Sequence, residues 1–474
     1  MAAAATATGP STAAMALAAV SSNNPDKCQA NSNTSAAASV ANQYEENVEH
    51  LRQLFSHNHL VSFQISHIEC SAGSSSGDNY MSVVKRVSIY DAGDAAYEGS
   101  EMAPASCRCT VIIKRQIPSL SRRQLYRCEE AFSNEINAYR HVVPLLRRYS
   151  KQQLFPYCHI ADTHDREQGT SGEPIIVLQD LKTLGFHMQN RIAGLELRQC
   201  LLVMKKLAQL HAASLAAQHL ESTHFTEQCA QLNEIVYCPD AADFYSRILD
   251  TSVQQALDSL HASNGDGSLT APISLIEQMQ PRLFQQLQDG INISSSSQMS
   301  VICHGDLWVN NIMFRSQPEE AIFFDLQAMR RTSPVFDILH FIYTSTRRQL
   351  RDVHTDTLLA AYAENLAREL DQQLRHTSAS HQLNNLHETF SLQRLSAEYV
   401  RHVHYGLAIC MWILPAVTFD PDNIPNLDVI SELNLNGAKE IKCTQKLTQE
   451  YHVRIRELVL EFYEHGYLSV EPCT

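Results

Sequence analysis

Residues 1 to about 44 are mostly Ala, Ser, Thr and Asn with almost no large apolar side chains, so ordering them would cost backbone entropy that no burial offsets. This stretch is expected to be a disordered tail. From Val48 the pattern changes, with apolar residues at helical spacing through Leu51, Leu54 and Phe55. A Gly/Ser stretch from Ser71 to Gly77 leads into the strand-like run Val83 to Tyr90, and after a polar loop comes a second strand, Thr110 to Lys114. The spacing then predicts one helix over Ser121 to Leu146, carrying Phe132, Ile136 and Tyr139 and ended near Pro144. Ile175 to Leu178 reads as a short buried strand between Pro174 and Asp180.

Beyond that point the periodicity turns helical. Leu197, Leu201, Met204, Leu207 and Leu210 share one helical face, as do Leu359, Tyr362, Leu366 and Leu370. Two short strands interrupt this portion, Val301 to Cys303 and Ala321 to Phe324, and each runs into a polar cluster. The apolar run Tyr405 to Phe419 falls short of the roughly 20 residues that span a bilayer, so a buried helix is expected there and no membrane span. There is no internal repeat. The expected organisation is α+β: a strand-rich unit over 45–180 and a mainly α-helical unit over 181–474.

Composition narrows the function. At 474 residues and 44% hydrophobic the chain can form globular cores, which excludes a collagen or a wholly disordered protein. Lys and Arg number 37 against 51 Asp and Glu, a net charge of −14, so there is no global basic field for a nucleic acid or an anionic membrane. The 13 cysteines follow no repeating spacing and read as reduced intracellular thiols. Their nearest pair, Cys107 and Cys109, is read as strand positions rather than zinc ligands. No Lys or Arg precedes Lys27, so the basic region of a signal peptide is missing and a cytoplasmic location is expected.

The sharpest chemical segment is Cys303-His304-Gly305-Asp306-Leu307-Trp308-Val309-Asn310-Asn311. An apolar strand delivers His-Gly-Asp, Asn311 follows five residues after Asp306, and Ala321-Ile322-Phe323-Phe324 then delivers Asp325. Two apolar strands thus aim acids into one hairpin-like unit, which is costly without a cation. Phosphoryl transfer uses this set: one carboxylate to orient and deprotonate a hydroxyl, and a carboxylate plus an amide oxygen to hold Mg²⁺ on the phosphates. A kinase also needs a strand lysine for the phosphates and a helix glutamate to hold it. Lys114, ending Val111-Ile112-Ile113, and Glu135, 21 residues later on the expected helix, have the right order. The turn Gly73 to Asn79 departs from Gly-x-Gly-x-x-Gly, so phosphate contact by its backbone is less well supported than a plain turn. The bland alternatives are surface charges for Lys114 and Glu135 and a turn cap for Asp306.

Together, Gly77-Asp78-Asn79-Tyr80, Lys114, Glu135, Leu178-Gln179-Asp180-Leu181, His304-Gly305-Asp306-Leu307-Trp308 with Asn311, and Phe324-Asp325-Leu326-Gln327 resemble the ecdysteroid kinase-like (CHK kinase-like) family. That family is similar to choline and aminoglycoside kinases. The resemblance implies a protein-kinase-like fold of two lobes and ATP- and Mg²⁺-dependent phosphorylation of an ecdysteroid hydroxyl. It implies Asp306 as catalytic base, Asn311 and Asp325 as Mg²⁺ ligands, Lys114 as the phosphate-binding lysine and Glu135 as its partner. Gly77, Asp78 and Asn79 would lie over the nucleotide, and backbone groups from Gln179 to Leu181 would meet adenine. The family usually carries an acid where this chain has Gln179, a departure that leaves main-chain recognition intact. His304 is expected to orient the catalytic loop rather than to move a proton. Pro334 with Asp337 is expected to tether a loop. Trp308 and the run through Leu407, Ile409, Met411, Trp412 and Leu414 are read as packing before any role in an acceptor pocket.

Three other readings compete. A metallophosphoesterase would also use Gly-Asp and Asn at a strand end, and Asp162-Thr163-His164 offers an Asp-x-His, but no Gly-Asn-His follows and a two-metal site needs more ligands than remain. A silent pseudokinase would normally lack Lys114, Asp306 or Asp325, and all are present. A choline or ethanolamine kinase would show an aromatic and acidic cage, which the sequence does not display, so the acceptor is expected to be a small apolar, steroid-like alcohol.

Overall fold

The computed structural model describes residues 47–73, 81–91, 107–162, 173–292, 297–419 and 447–469. The tail expected over 1–44 and the turn residues Gly77, Asp78 and Asn79 lie outside them. The described chain opens with α1 (Val48–His57), whose first turn is capped by the Asn47 side chain accepting from His50 N–H. Five strands follow: β1 (Ile65–Ala72), β2 (Ser82–Asp91), β3 (Cys107–Gln116), β4 (Cys158–Asp162) and β5 (Ile175–Gln179). They form one antiparallel sheet in the order β1-β2-β3-β5-β4. β3 is therefore central, with Lys114 opposite Val84 on one side and Ile176 on the other. The two-residue period of a strand then sorts its side chains. Val111 and Ile113 pack with Leu51 and Phe55 of α1, which leaves Lys114 for the other face.

That face is covered by the helical segment after β3, and here the structure differs from the single helix expected over Ser121 to Leu146. The segment is α2 (Leu120–Leu125), α3 (Cys128–Asn137), a π-helical turn at Ala138–Val142 and α4 (Val143–Arg147). Arg127 breaks the first junction with φ 45°, its side chain held by Glu130 at 2.9 Å. The π turn has a covalent cause: Pro144 has no N–H for the carbonyl four residues earlier, so the ladder widens locally and the helix continues past the proline. β1 and β4, which the hydrophobic pattern did not predict, are the two edges of the sheet. β1 is largely exposed and lacks a clean alternation.

The remainder is mainly helical: α5 (Leu197–Leu220), α6 (Ser222–Cys229), α7 (Ala242–Ala262), α8 (Thr270–Asn292), α9 (Val335–Ser345), α10 (Arg348–Leu374), α11 (Leu383–Thr389), α12 (Leu392–Arg401), α13 (Val403–Thr418) and α14 (Gln449–Glu464). Four short strands are set among them, β6 (Val301–Cys303), β7 (Ile312–Ser316), β8 (Glu319–Phe323) and β9 (Arg330–Thr332). The two acids do not come from one hairpin. β7 and β8 pair with each other, whereas β6, which delivers Asp306, pairs with β9, a strand hidden from hydropathy because it reads Arg-Arg-Thr. α9 and α13 are buried along their whole length and cross closely at Gly406, where a Cβ would stand 2.3 Å from the Tyr343 ring. Leu407, Ile409, Met411, Trp412 and Leu414 belong to the main hydrophobic core, as does Trp308.

A β-sheet with its covering helices followed by this helical body is the α+β, two-lobed, kinase-like architecture expected from the sequence. Among the described residues no single helix is long and apolar enough to cross a membrane. α12 and α13 pass that test only together, bent by 56°, and α13 is enclosed by the fold. Among the described residues no cysteine is in a disulfide, and Cys107 and Cys109 lie on β3.

Candidate active site

Lys114 is buried where the sheet meets Glu135 and the segment after β8. Its Nζ is 2.5 Å from Glu135 Oε2 on α3 and 2.8 Å from Asp325 Oδ1, so one ammonium joins a strand, a helix and the segment after β8. Burial alone would lower the lysine, but the charges of Asp325 and Glu135 outweigh it and hold the ammonium raised and protonated. Asp325 itself sits at φ 67°, a left-handed conformation that costs a residue with a Cβ about 1–3 kcal/mol and persists only where surroundings impose it. Those surroundings are identifiable. Glu135 Oε1 accepts Leu326 N–H at 3.3 Å, and Asn134 Nδ2 donates to Gln327 O at 2.9 Å and Met329 O at 3.0 Å. Two adjacent residues of α3 thus hold the backbone that carries Asp325.

Asp306 follows β6 in a buried loop. Asn311 lies in the helical turn five residues later, and its Nδ2 donates to Asp306 O at 2.8 Å and Asp306 Oδ2 at 3.2 Å. With its amide nitrogen engaged there, the Asn311 side chain has its carbonyl oxygen left for another partner. Gly305 makes the loop possible: its φ is 83°, and a Cβ at that position would lie 2.0 Å from Ala328 O. Gly305→Ala is therefore expected to destabilise the protein by about 2–5 kcal/mol, combining left-handed strain with overpacking. A denaturant titration checks this, and an unshifted midpoint would mean that the loop can relax.

His304 accepts Asp306 N–H at Nδ1 (3.3 Å), which leaves Nε2 as the protonated nitrogen facing Phe324 O at 2.9 Å. Burial holds its pKa below the ordinary imidazole value, so it is a neutral brace between the two acid-bearing segments. Asp337 on α9 accepts His304 N–H at 2.7 Å and Gly305 N–H at 2.9 Å and faces His211 Nε2 at 3.3 Å. Burial would raise its carboxyl, but the His211 hydrogen bond and the backbone N–H groups hold it at about 2. His211, Cys303 and Asp337 have donor atoms within 4.8 Å of one another, which could suit a metal ion. Here, however, both Asp337 oxygens are committed to backbone N–H groups and burial pushes the Cys303 thiol well up, so the trio reads as a loop tether.

After β5, Asp180 caps the turn Leu181–Leu184 and receives Arg86 Nε at 2.6 Å. Gln179 N–H donates to Tyr157 O, and its side-chain oxygen accepts from Gln153 Nε2 and Tyr157 N–H. Of the main-chain groups expected to meet adenine, Gln179 N–H and Leu181 O are thus already engaged, the latter by Phe186 N–H. Asp162 lies on β4 beside Arg140, while Thr163 and His164 fall outside the described residues.

The structure therefore brings Lys114, Glu135 and Asp325 into contact and ties the segment carrying Asp306 and Asn311 to the one carrying Asp325, through His304 Nε2 facing Phe324 O and Phe324 N–H donating to Asn311 O. Sequence reasoning missed Asn134, Arg86, His211, His340 and Arg330. For the last two the available signal was a polar residue inside an apolar helix and a charged strand, both of which turn out to be buried.

A model of the ecdysteroid kinase-like family matches residues 76–374, more than half of the sequence. The chain belongs to the ecdysteroid kinase-like family. Membership places it among small-molecule kinases. No curated protein matches the sequence. Among solved structures the chain is similar to an ethanolamine kinase of Plasmodium vivax, at 9% identity and TM-score 0.40 over 93% of this chain and 99% of that one. It is also similar to a spectinomycin phosphotransferase solved with ADP and spectinomycin, at 16% identity and TM-score 0.34 over 75% of this chain and 99% of that one. A choline kinase of Streptococcus pneumoniae is similar at 10% identity and TM-score 0.33, covering 78% of this chain and 99% of that one.

Proposed function

We propose that this protein transfers the γ-phosphoryl group of ATP, with Mg²⁺, to the hydroxyl of a small apolar alcohol of the ecdysteroid kind, working in the cytoplasm. The observation that carries the reading is the buried ammonium of Lys114 between Glu135 and Asp325, an arrangement that costs desolvation and serves phosphates. In this reading Asp306 orients the acceptor hydroxyl and accepts its proton. Lys114 meets the phosphates, Glu135 keeps it in place, and Asp325 with Asn311 would hold the metal. Leu181 N–H is the hinge group for adenine, with Gly77, Asp78 and Asn79 over the phosphates.

The donor chemistry fits Mg²⁺: the carboxylate of Asp325 and the amide oxygen of Asn311 are hard oxygen ligands. When bound, that ion neutralises charge on the phosphates. The preference for an apolar acceptor over a quaternary ammonium rests on the family and on one further feature. An aromatic and acidic cluster does lie behind Asp306, formed by Tyr237, Tyr405 and Glu234, but it already encloses a cation. Arg330 sits 5.6 Å over the Tyr237 ring and pairs with Glu234 at 3.2 Å.

The test is ATP-dependent phosphate transfer by purified protein to parallel panels of ecdysteroids and of choline-type amines, with Asp306→Asn as control. Steroid phosphate that disappears in the control is expected. Phosphocholine instead would keep the chemistry and move the acceptor class. No product from either panel would count against both acceptors.

A further inference from the structure

Asp306 has two carboxylate oxygens, and only Oδ2 is held by Asn311. The other, Oδ1, is buried with no hydrogen-bond partner. Facing it at 3.4 Å is His340 Nε2, from the middle of α9, which is likewise buried and without a hydrogen bond. A carboxylate oxygen and an imidazole nitrogen enclosed away from water have only each other to satisfy them, and catalytic hydrogen bonds are often long or misaligned before ligands bind.

Which atom carries the hydrogen follows from the groups behind the ring. Arg330 Nη2 points at Tyr405 OH at 3.4 Å, and a guanidinium only donates, so the phenol oxygen is its acceptor. Burial pushes the Tyr405 phenol well up, so it keeps its own hydrogen. That hydrogen has His340 Nδ1 before it at 3.0 Å. A neutral His340 accepting at Nδ1 must be protonated at Nε2, the atom that faces Asp306. Arg330 is itself anchored by Glu234 at 3.2 Å, so the direction of the whole relay is set by a guanidinium that can only donate.

We propose that His340 is a positioning residue for phosphoryl transfer, fixed by Arg330 and Tyr405 in the Nε2–H tautomer so that it donates to Asp306 Oδ1 and locks the carboxylate for the acceptor hydroxyl. The proposal rests on the reading of Asp306 as the base. It assigns His340 no proton transfer: the hydrogen on Nε2 stays there, and Oδ2 is left to take the acceptor proton. This is the division of labour by which a buried carboxylate orients a histidine, with the roles of the two side chains exchanged.

Two measurements on the full chain test it. The first is ¹⁵N correlation spectroscopy with ring-labelled histidine, His340 being assigned by the signal lost in His340→Gln. The expected result is protonated Nε2 and bare Nδ1 in the wild type, and a loss of that preference in Tyr405→Phe. A protonated Nδ1 in the wild type would overturn the proposal. The second is turnover of Mg·ATP with the acceptor panels, and with water as acceptor, for wild type, Asp306→Asn, His340→Leu, His340→Gln and the double variant. His340→Leu is expected to lower kcat roughly 10- to 100-fold with KM for ATP unchanged, as loss of a residue that orients another typically does. His340→Gln, which keeps a donor near the same place, should recover part of it. In the Asp306→Asn background His340→Leu should have no further effect.

Full activity in His340→Leu beside an inactive Asp306→Asn would overturn this inference and leave the site reading standing. Full activity in Asp306→Asn would overturn the site reading. A wild type inactive with every acceptor would overturn both.

Discussion

Asp306→Asn is expected to lower kcat by about 10²–10⁴-fold, the range supplied by a well-placed general base, while leaving the affinity for Mg·ATP within about twofold. The asparagine has the same shape and can still accept from Asn311, so the loop held by Asp337, His304 and Asn311 should persist. What disappears is an acceptor for the substrate proton. Only a step realised in the transition state is removed, which lowers kcat and kcat/KM together. Initial-rate kinetics against the phosphorylated acceptor, with nucleotide affinity measured by direct titration, separate the two. A variant that turns over normally would place the base elsewhere. A variant that loses ATP binding as well would make Asp306 part of the nucleotide site.

The contrast between what the sequence shows and what it hides follows from chain distance. His-Gly-Asp, Asn311 and Asp325 occupy one stretch in which apolar strands deliver polar residues, and local order is enough to suggest their chemistry. Lys114 is legible for a similar reason: a charge that ends three β-formers in a central strand has to meet something polar. The supports of these groups arrive from far along the chain with no periodic signal. Asn134 reaches residues 327 and 329, and Asp337 reaches back to residues 304 and 305. Asn134 reads in sequence as one polar residue in a helix, and Asp337 is legible as a loop tether only through the family resemblance.

His340 shows the limit most clearly. Val335-Phe336-Asp337-Ile338-Leu339-His340-Phe341-Ile342 forms part of a fully buried helix, and as a sequence this apolar run gives no reason to look at the histidine. Its meaning depends on Tyr405 and Asp306, 65 residues ahead and 34 behind. The hairpin expectation failed for a related reason. β9 is a strand of two arginines and a threonine that pairs with β6 while Arg330 meets Glu234 and Arg331 meets Ser300, and no hydrophobic pattern reports that. The helix broken at Arg127 and widened before Pro144 shows the converse case, in which a continuous apolar stripe survives although the backbone beneath it does not stay regular.

Lys114→Met should be costly for stability as well as for turnover. The methionine fills most of the lysine's volume but leaves Glu135, about 1% exposed, with no cation, next to the carboxylate of Asp325. Removing one member of a buried pair typically costs about 3–5 kcal/mol, because the remaining charge has lost its counter-charge. The deficit should depend on pH with a definite sign. Burial already raises Glu135, and without the lysine nothing comparable opposes that, so the folded variant binds a proton more readily than the unfolded chain. Its stability should therefore be best at low pH and fall as pH rises above the ordinary carboxylate range. Glu135→Leu added to Lys114→Met takes away the stranded charge, and the double variant should regain most of the lost stability. It should regain no activity, since neither residue can meet a phosphate. Denaturant midpoints at two pH values, paired with Mg·ATP turnover, provide the check. If the single variant were as stable as the wild type at neutral pH, the Lys114, Glu135 and Asp325 contacts would contribute little to holding the sheet against the helical body. If the double variant turned over ATP, phosphate recognition would have to lie outside this triad.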